Sequence, residues 1–342
     1  MSLAASAPGG APQTDADGGY EELFGLWLDL EASLSMVLAH PQRVREFPAK
    51  IAQLDRWLRS LVQQDTDAAL YLMFQLAGTS TVGYSASHAL VCATLAHIAA
   101  AELGLPAAER DALVPAAMTM NVAMTALQDQ LALQYERPSA AQRDAIRRHA
   151  IEGQEMLRLL GIANPLWLDA VGNHHADAAG LAAAQRPAPA LRLVRLLGAI
   201  DRYAAVISPR KSRPGRSAAD GMRAIMGGNA PRDEIGYALV RAVGLCPPGT
   251  FVLLDNGQTA LVLRRGAVPN LPIVASLLDR RGEPLPQPRL HATAEGTPRI
   301  RAALARPALR TEPDHRTMLR LGRYAALHAD GIEPPDTGLC QI

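Results

Sequence analysis

Five positions carry side chains suited to metal chemistry: His88, His149, the doublet His174-His175, and Asp201. Each lies in apolar, helix-forming sequence, as in RDAIRRHA around His149 and LLGAIDRYAAVI around Asp201. Neutral imidazoles with a carboxylate suit a borderline divalent ion such as zinc, iron or manganese. Taken singly, each has a plainer explanation. A lone helical histidine is usually a surface group or a hydrogen-bonded core group, and Asp201 alone would serve as a cap or a salt-bridge partner. His97 follows His88 by nine residues, half a revolution round a helix, so the two cannot face one site. His174 and His175 differ by about 100° on a helix and share an ion only if both border one pocket. His40, His291, His315 and His328 have no partner recognisable in the sequence.

The elements that must position these groups are mostly helices. Apolar residues recur at three- and four-residue spacing in LFGLWLDLEASLSMVLAH, FPAKIAQLDRWLRSLVQQD and DTDAALYLMFQLAG, which predicts an N-terminal helical region over residues 20–80. Residues 81–245 form the main helical region. Its helices are expected near Ser85–Leu103, Ala107–Met120, Ala140–His149, Glu152–Leu160, Pro165–Asp177, Leu191–Ile207, Ala218–Met226 and Asp233–Val243. Gly104, Pro106, Pro138, Gly161, Pro187, Pro209 and Pro214 separate them. Beyond Leu245 the pattern turns to strands. The run FVLLDNGQTALVL places Asp255-Asn256-Gly257 between apolar segments, a tight-hairpin signal. A small β-rich appendage is expected over residues 246–292, followed over 293–342 by a tail with one short helix in RTMLRLGRYAALHA.

The totals narrow the function classes. The formal net charge of +1 does not announce a DNA-binding protein. The opening residues 1–19 have no basic segment followed by an apolar core, and read as a disordered lead rather than a signal peptide. ASHALVCATLAHIAAAELGL is long and apolar, but His88, His97 and Glu102 interrupt it, so a buried core helix is expected rather than a membrane span. Cys92, Cys246 and Cys340 are far apart and read as reduced cytosolic thiols, which places the chain in the cytoplasm. Neither a receiver domain nor a membrane sensor is recognisable.

From Tyr84 to Val243 the order of the ligand-type residues resembles the HD-GYP family, a branch of the HD-type metal-dependent phosphohydrolases. The resemblance implies an all-helical domain that hydrolyses cyclic di-GMP at a two- or three-metal centre. His88 stands for the ligand on the family's first helix. His149, with Gly153 four residues on, stands for the next histidine, followed by His174-His175 and the final ligand Asp201. Arg210 stands for an arginine on the phosphate side. The implied fold is mainly α: an HD-domain-like helical bundle with the N-terminal helical preface and a small C-terminal β appendage.

The departures fall at the chemical centre. The His-Asp pair that names the superfamily is Met120-Asn121, in AAMTMNVAM, and the lysine that follows it is Met124. No Gly-Tyr-Pro follows the double histidine in HHADAAGLAAA. Ala204 replaces a second aspartate, and Ser212 and Arg213 replace a Tyr-Lys pair. In the family's centre the lost aspartate would bridge two ions. The amide oxygen of Asn121 carries no charge to hold two cations, and the thioether of Met120 is a poor exchange for imidazole. His88 and Asp201 are then left as a two-ligand half-site.

Two outcomes stand for the histidines. Either His149, His174 and His175 hold one divalent ion (iron, manganese or zinc), or they persist metal-free in a hydrogen-bonded pocket. Two also stand for the basic run of Arg192, Arg195, Arg202, Arg210, Lys211, Arg213 and Arg216: a phosphate pocket suited to a cyclic dinucleotide, or a solvated basic surface. The functional expectation is a degenerate, catalytically inactive or vestigial signalling or binding module. Its alternatives are a working phosphohydrolase with a mononuclear three-histidine site, and a protein-interaction scaffold that binds no nucleotide.

Overall fold

The computed structural model describes residues 18–77, 83–176, 187–212, 215–226, 234–268, 271–296, 298–305 and 312–328. The helical preface comprises α1 (Gly18–Ala39), α2 (Phe47–Gln64) and α3 (Thr66–Leu76). Leu23, Trp27, Leu30, Leu34 and Leu38 recur at helical spacing along α1 and are buried. Of the lead expected over residues 1–19, Gly18 and Gly19 open α1, and the rest lies outside the described residues. One aspartate makes the break between α2 and α3. The Asp65 carboxylate accepts the backbone N–H groups of Asp67 at 2.9 Å and Ala68 at 3.0 Å, capping α3.

The central element is α4 (Tyr84–Glu102), buried continuously from Ser85 to Ala100. A helix apolar on every side must be surrounded by others. Here α1, α3, α5 (Ala107–Thr119) and α6 (Thr125–Leu133) pack against it. No side chain of its own caps α4. Instead Asp129 on α6 accepts the Ser85 backbone N–H at 2.7 Å and the Ser85 hydroxyl at 3.0 Å. Gly83 approaches the same carboxylate with a φ of +121°, a backbone conformation that favours glycine.

α7 spans Ala140–Leu159 without a break, where the sequence pattern predicts two shorter helices. It opens on a capping box between Ser139 and Gln142. α8 (Pro165–Asn173) follows, capped by Asn164. Then come α9 (Ala188–Ile207), α10 (Ala218–Met226) and α11 (Glu234–Val243). None of the described helices is long and apolar enough to cross a membrane.

The C-terminal sheet is antiparallel, with strands β1 (Phe251–Leu254), β2 (Thr259–Arg264), β3 (Ile273–Leu278), β4 (Pro284–Ala292) and β5 (Ile300–Leu304) in the order β4-β3-β2-β1-β5. Its first hairpin turns at Asp255-Asn256-Gly257, with Gly257 at a φ of +84° and Phe251 opposite Leu261. β5 pairs with β1, so the sheet extends beyond residue 292 into the segment expected to be tail. α12 (His315–Leu327) packs on β2 and α1.

The sheet is fixed to the helices by charge and close contact. Arg264 reaches Asp65 at 2.7 Å and Arg265 reaches Asp67 at 2.5 Å. The Gln75 amide donates to the Gly249 carbonyl at 2.6 Å. Tyr71 and His315 share a hydrogen bond of 2.9 Å between α3 and α12.

One contact governs how closely α8 and α9 approach. A Cβ at Gly198 would stand 2.4 Å from the His174 carbonyl oxygen. Only glycine lets α9 pass so near the double histidine. Alanine normally stabilises a helix over glycine, but Gly198→Ala is expected to destabilise this protein by about 1–3 kcal/mol through overpacking. Urea unfolding checks this. A midpoint equal to or above the parent's would contradict the packing.

Candidate metal centre

The candidate ligands converge from four helices. α4 carries His88, α7 carries His149, the end of α8 presents His174 and His175, and α9 carries Asp201. His88, His149 and His174 are buried, whereas His175 is exposed and leaves one side open.

They form two adjoining groups. His149, His174 and His175 have ligand atoms all within 4.8 Å of one another. Their ring centroids lie 5.2 Å apart for His149 and His174, 5.1 Å for His149 and His175, and 4.1 Å for His174 and His175. In the other group, His88 Nε2 lies 3.0 Å from Asp201 Oδ1. The electrostatic influence of His174 and His175 on Asp201 links the two.

Hydrogen bonding fixes the tautomers of the first group. His149 Nδ1 lies 2.6 Å from the Ile146 carbonyl, and His174 Nδ1 lies 2.7 Å from the Val171 carbonyl. A carbonyl only accepts, so each Nδ1 carries its proton. The neutral rings then point bare Nε2 lone pairs at each other across 3.3 Å. Only a shared proton or a cation makes that contact favourable.

A proton is a poor solution. Burial drives the His174 imidazole down to about 3, although the Asp201 charge opposes this. Burial also lowers His149. A divalent ion fits better. With metal–nitrogen bonds of about 2.0–2.1 Å, a tetrahedral site separates its nitrogens by about 3.3 Å. Nδ1–H groups donating to backbone carbonyls are the usual outer support of ligating histidines.

Asp201 behaves differently. Burial works to raise its carboxyl, but the hydrogen bond and charge of His88, with His174 and His175 adding, hold it well below the usual carboxylate range. It is therefore an anion at neutral pH, beside the histidine cluster. Tyr84 stacks on the His88 ring at 5.6 Å. Arg210 donates to the Tyr84 hydroxyl at 3.0 Å, and its guanidinium lies 4.8 Å above the tyrosine ring. The site thus has a cationic rim one residue away from its carboxylate–histidine pair.

Met120 is buried and closes α5, and Asn121 follows at the surface of the core. Both lie beside the cluster's scaffold: a Cβ at Gly153, one turn beyond His149, would come 3.5 Å from the Met120 carbonyl. Neither supplies a carboxylate. Ala204 is fully buried among apolar neighbours. Arg213 lies outside the described residues. Of the basic run, Arg192 is committed to Glu109 through contacts of 2.8 and 2.5 Å. His97, on the far side of α4, approaches Asp55 at 2.8 Å.

One member escapes a reading of isolated histidines. Cys92 lies one turn after His88, with its Sγ 3.6 Å from His88 Nε2, and joins His88 and Asp201 in a second group within 4.8 Å. The signal was the four-residue spacing on one helix.

No family model matches the chain. It is 30% identical over 123 residues to a cyclic di-GMP phosphodiesterase of Pseudomonas aeruginosa, a stretch covering 35% of this chain. It spans 30% of that relative's length. It is also similar to the solved structure of a HDG"Y"P protein from Bdellovibrio bacteriovorus, with a TM-score of 0.48 and 15% identity, covering 66% of this chain and 72% of that one.

The buried histidines set a pH dependence for the metal-free chain. An unfolded imidazole takes up its proton near pH 6.5, while folded His174 resists down to about 3. Between those values the unfolded chain binds more protons, so stability falls as pH falls. After chelation, the urea midpoint should drop from pH 7 to pH 5, and His174→Gln should flatten that slope. An equal slope in both proteins would contradict the assignment.

Proposed function

We propose that this chain is an HD-GYP-like signalling module that binds a cyclic dinucleotide and has lost its hydrolysis. Met120-Asn121 carries the reading. In the ligand order, between His88 and His149, the resemblance calls for a His-Asp pair, and this chain offers a buried thioether and a neutral amide there. Without that charge, two cations are not held at the spacing that clamps both attacking and leaving oxygens.

One divalent ion is held by His149, His174 and His175. When bound, it would polarise a phosphate oxygen or acidify a water. Arg210, poised over Tyr84 at the rim, pairs with a phosphate of the ligand, and Arg213 is proposed to assist. The phosphodiesterase similarity supports a cyclic dinucleotide as that ligand. A signalling protein is the proposed recipient of the bound state.

A second reading has its own support. The exposed His175 leaves the three-histidine group open on one side, as a mononuclear hydrolytic site requires.

The test incubates the full chain with cyclic di-GMP and manganese or iron(II), beside a Met120→His, Asn121→Asp, Met124→Lys variant. The native chain is expected to bind the dinucleotide by calorimetry without forming a linear product. Arg210→Ala should weaken binding about tenfold or more. The restored variant should hold more metal. Hydrolysis by the native chain would overturn the reading in favour of the mononuclear enzyme. Absence of both binding and hydrolysis would leave the interaction scaffold.

A further inference from the structure

Beside the three-histidine group, Cys92 changes what the remaining half-site can hold. It sits on α4 one turn beyond His88, so the two side chains leave the same helix face. Its Sγ is 3.6 Å from His88 Nε2, and the same nitrogen is 3.0 Å from Asp201 Oδ1. With bonds of about 2.3 Å to sulfur and 2.0–2.1 Å to nitrogen, a tetrahedral ion sets its S and N ligands about 3.5 Å apart. The cysteine–histidine edge already has that length. The carboxylate edge needs to open by only about 0.4 Å to reach its tetrahedral separation.

We propose that His88, Cys92 and Asp201 form a second, thiolate-containing site for a zinc-class ion. In it, Cys92 takes over the ligand role vacated at Met120-Asn121. The inference extends the metal reading of the centre and does not depend on whether the chain hydrolyses a nucleotide.

The chemistry of the donors supports an ion over an inert contact. His88 Nδ1 is buried and has no hydrogen-bond partner among the described residues, while Asp201 beside Nε2 places the imidazole proton on Nε2 in the metal-free chain. On binding, the imidazole proton moves from Nε2 to Nδ1, freeing the Nε2 lone pair. The Cys92 thiol releases its proton to solvent and binds as thiolate, and Asp201 exchanges its hydrogen bond for a bond to the ion. One proton therefore leaves per ion bound. Without an ion, burial and the nearby Asp201 keep the thiol protonated, whereas a coordinated thiol is deprotonated outright. A soft thiolate also changes selectivity. It favours zinc over manganese, which prefers oxygen ligands.

The test titrates cobalt(II) into the full, metal-free chain and follows absorption. The native protein should develop a near-ultraviolet thiolate-to-cobalt charge-transfer band. Cys92→Ser should lose the band and bind about one cobalt per chain fewer. His149→Ala should keep the band while losing the three-histidine ion. The proposal is overturned if no cobalt binds, if cobalt binds without the band, or if the band survives Cys92→Ser. Should Cys92→Ser fail to fold, the Cys246→Ser, Cys340→Ser double variant decides. Retention of the band there leaves Cys92 as its source, and loss of the band overturns the proposal. None of these results depends on nucleotide binding or hydrolysis, so this site and the signalling reading can fail separately.

Discussion

Two imidazole lone pairs facing each other across 3.3 Å are the constraint on which the centre depends. The backbone creates it. Carbonyls of Ile146 and Val171 hold the Nδ1 protons of His149 and His174, so neither ring can present an N–H to the other. Burial makes a proton an expensive remedy. The helices that meet here, α7 and α8, are in turn held to α9 by the close passage of Gly198 past the His174 carbonyl. The fold therefore keeps two candidate ligands in a geometry that a cation relieves.

The rest of the architecture serves the same placement. α4 is buried along its length, so His88 and Cys92 cannot swing away from α9. Asp129 secures the start of that helix from outside it. The preface and the sheet are joined through Asp65 and Asp67 to Arg264 and Arg265.

Much of this was legible in the sequence. The order His88, His149, His174-His175, Asp201 brings together groups more than a hundred residues apart, as the 113-residue separation of His88 and Asp201 illustrates. The Asp255-Asn256-Gly257 hairpin was also legible, because a tight turn needs a residue free to adopt positive φ. Other features were hidden for physical reasons. The sequence pattern leaves a gap at Ala150-Ile151 between two short helices, yet α7 runs through it, with His149, Ala150 and Gly153 buried along one continuous helix. α6 is short and weakly amphipathic, and its value lies in one carboxylate that caps another helix. β5 is five residues between proline- and arginine-rich segments, and only its pairing with β1 identifies it. Cys92 reads as an ordinary core thiol until Asp201 arrives from a distant helix.

The most direct test of the centre is elemental analysis of the full chain, purified without chelator or affinity-tag metal, beside His149→Ala. The account predicts bound divalent metal in the native protein, and a loss of about one ion per chain in the variant. No metal in either protein, or equal metal in both, would contradict it and return the facing histidines to an unfilled pocket.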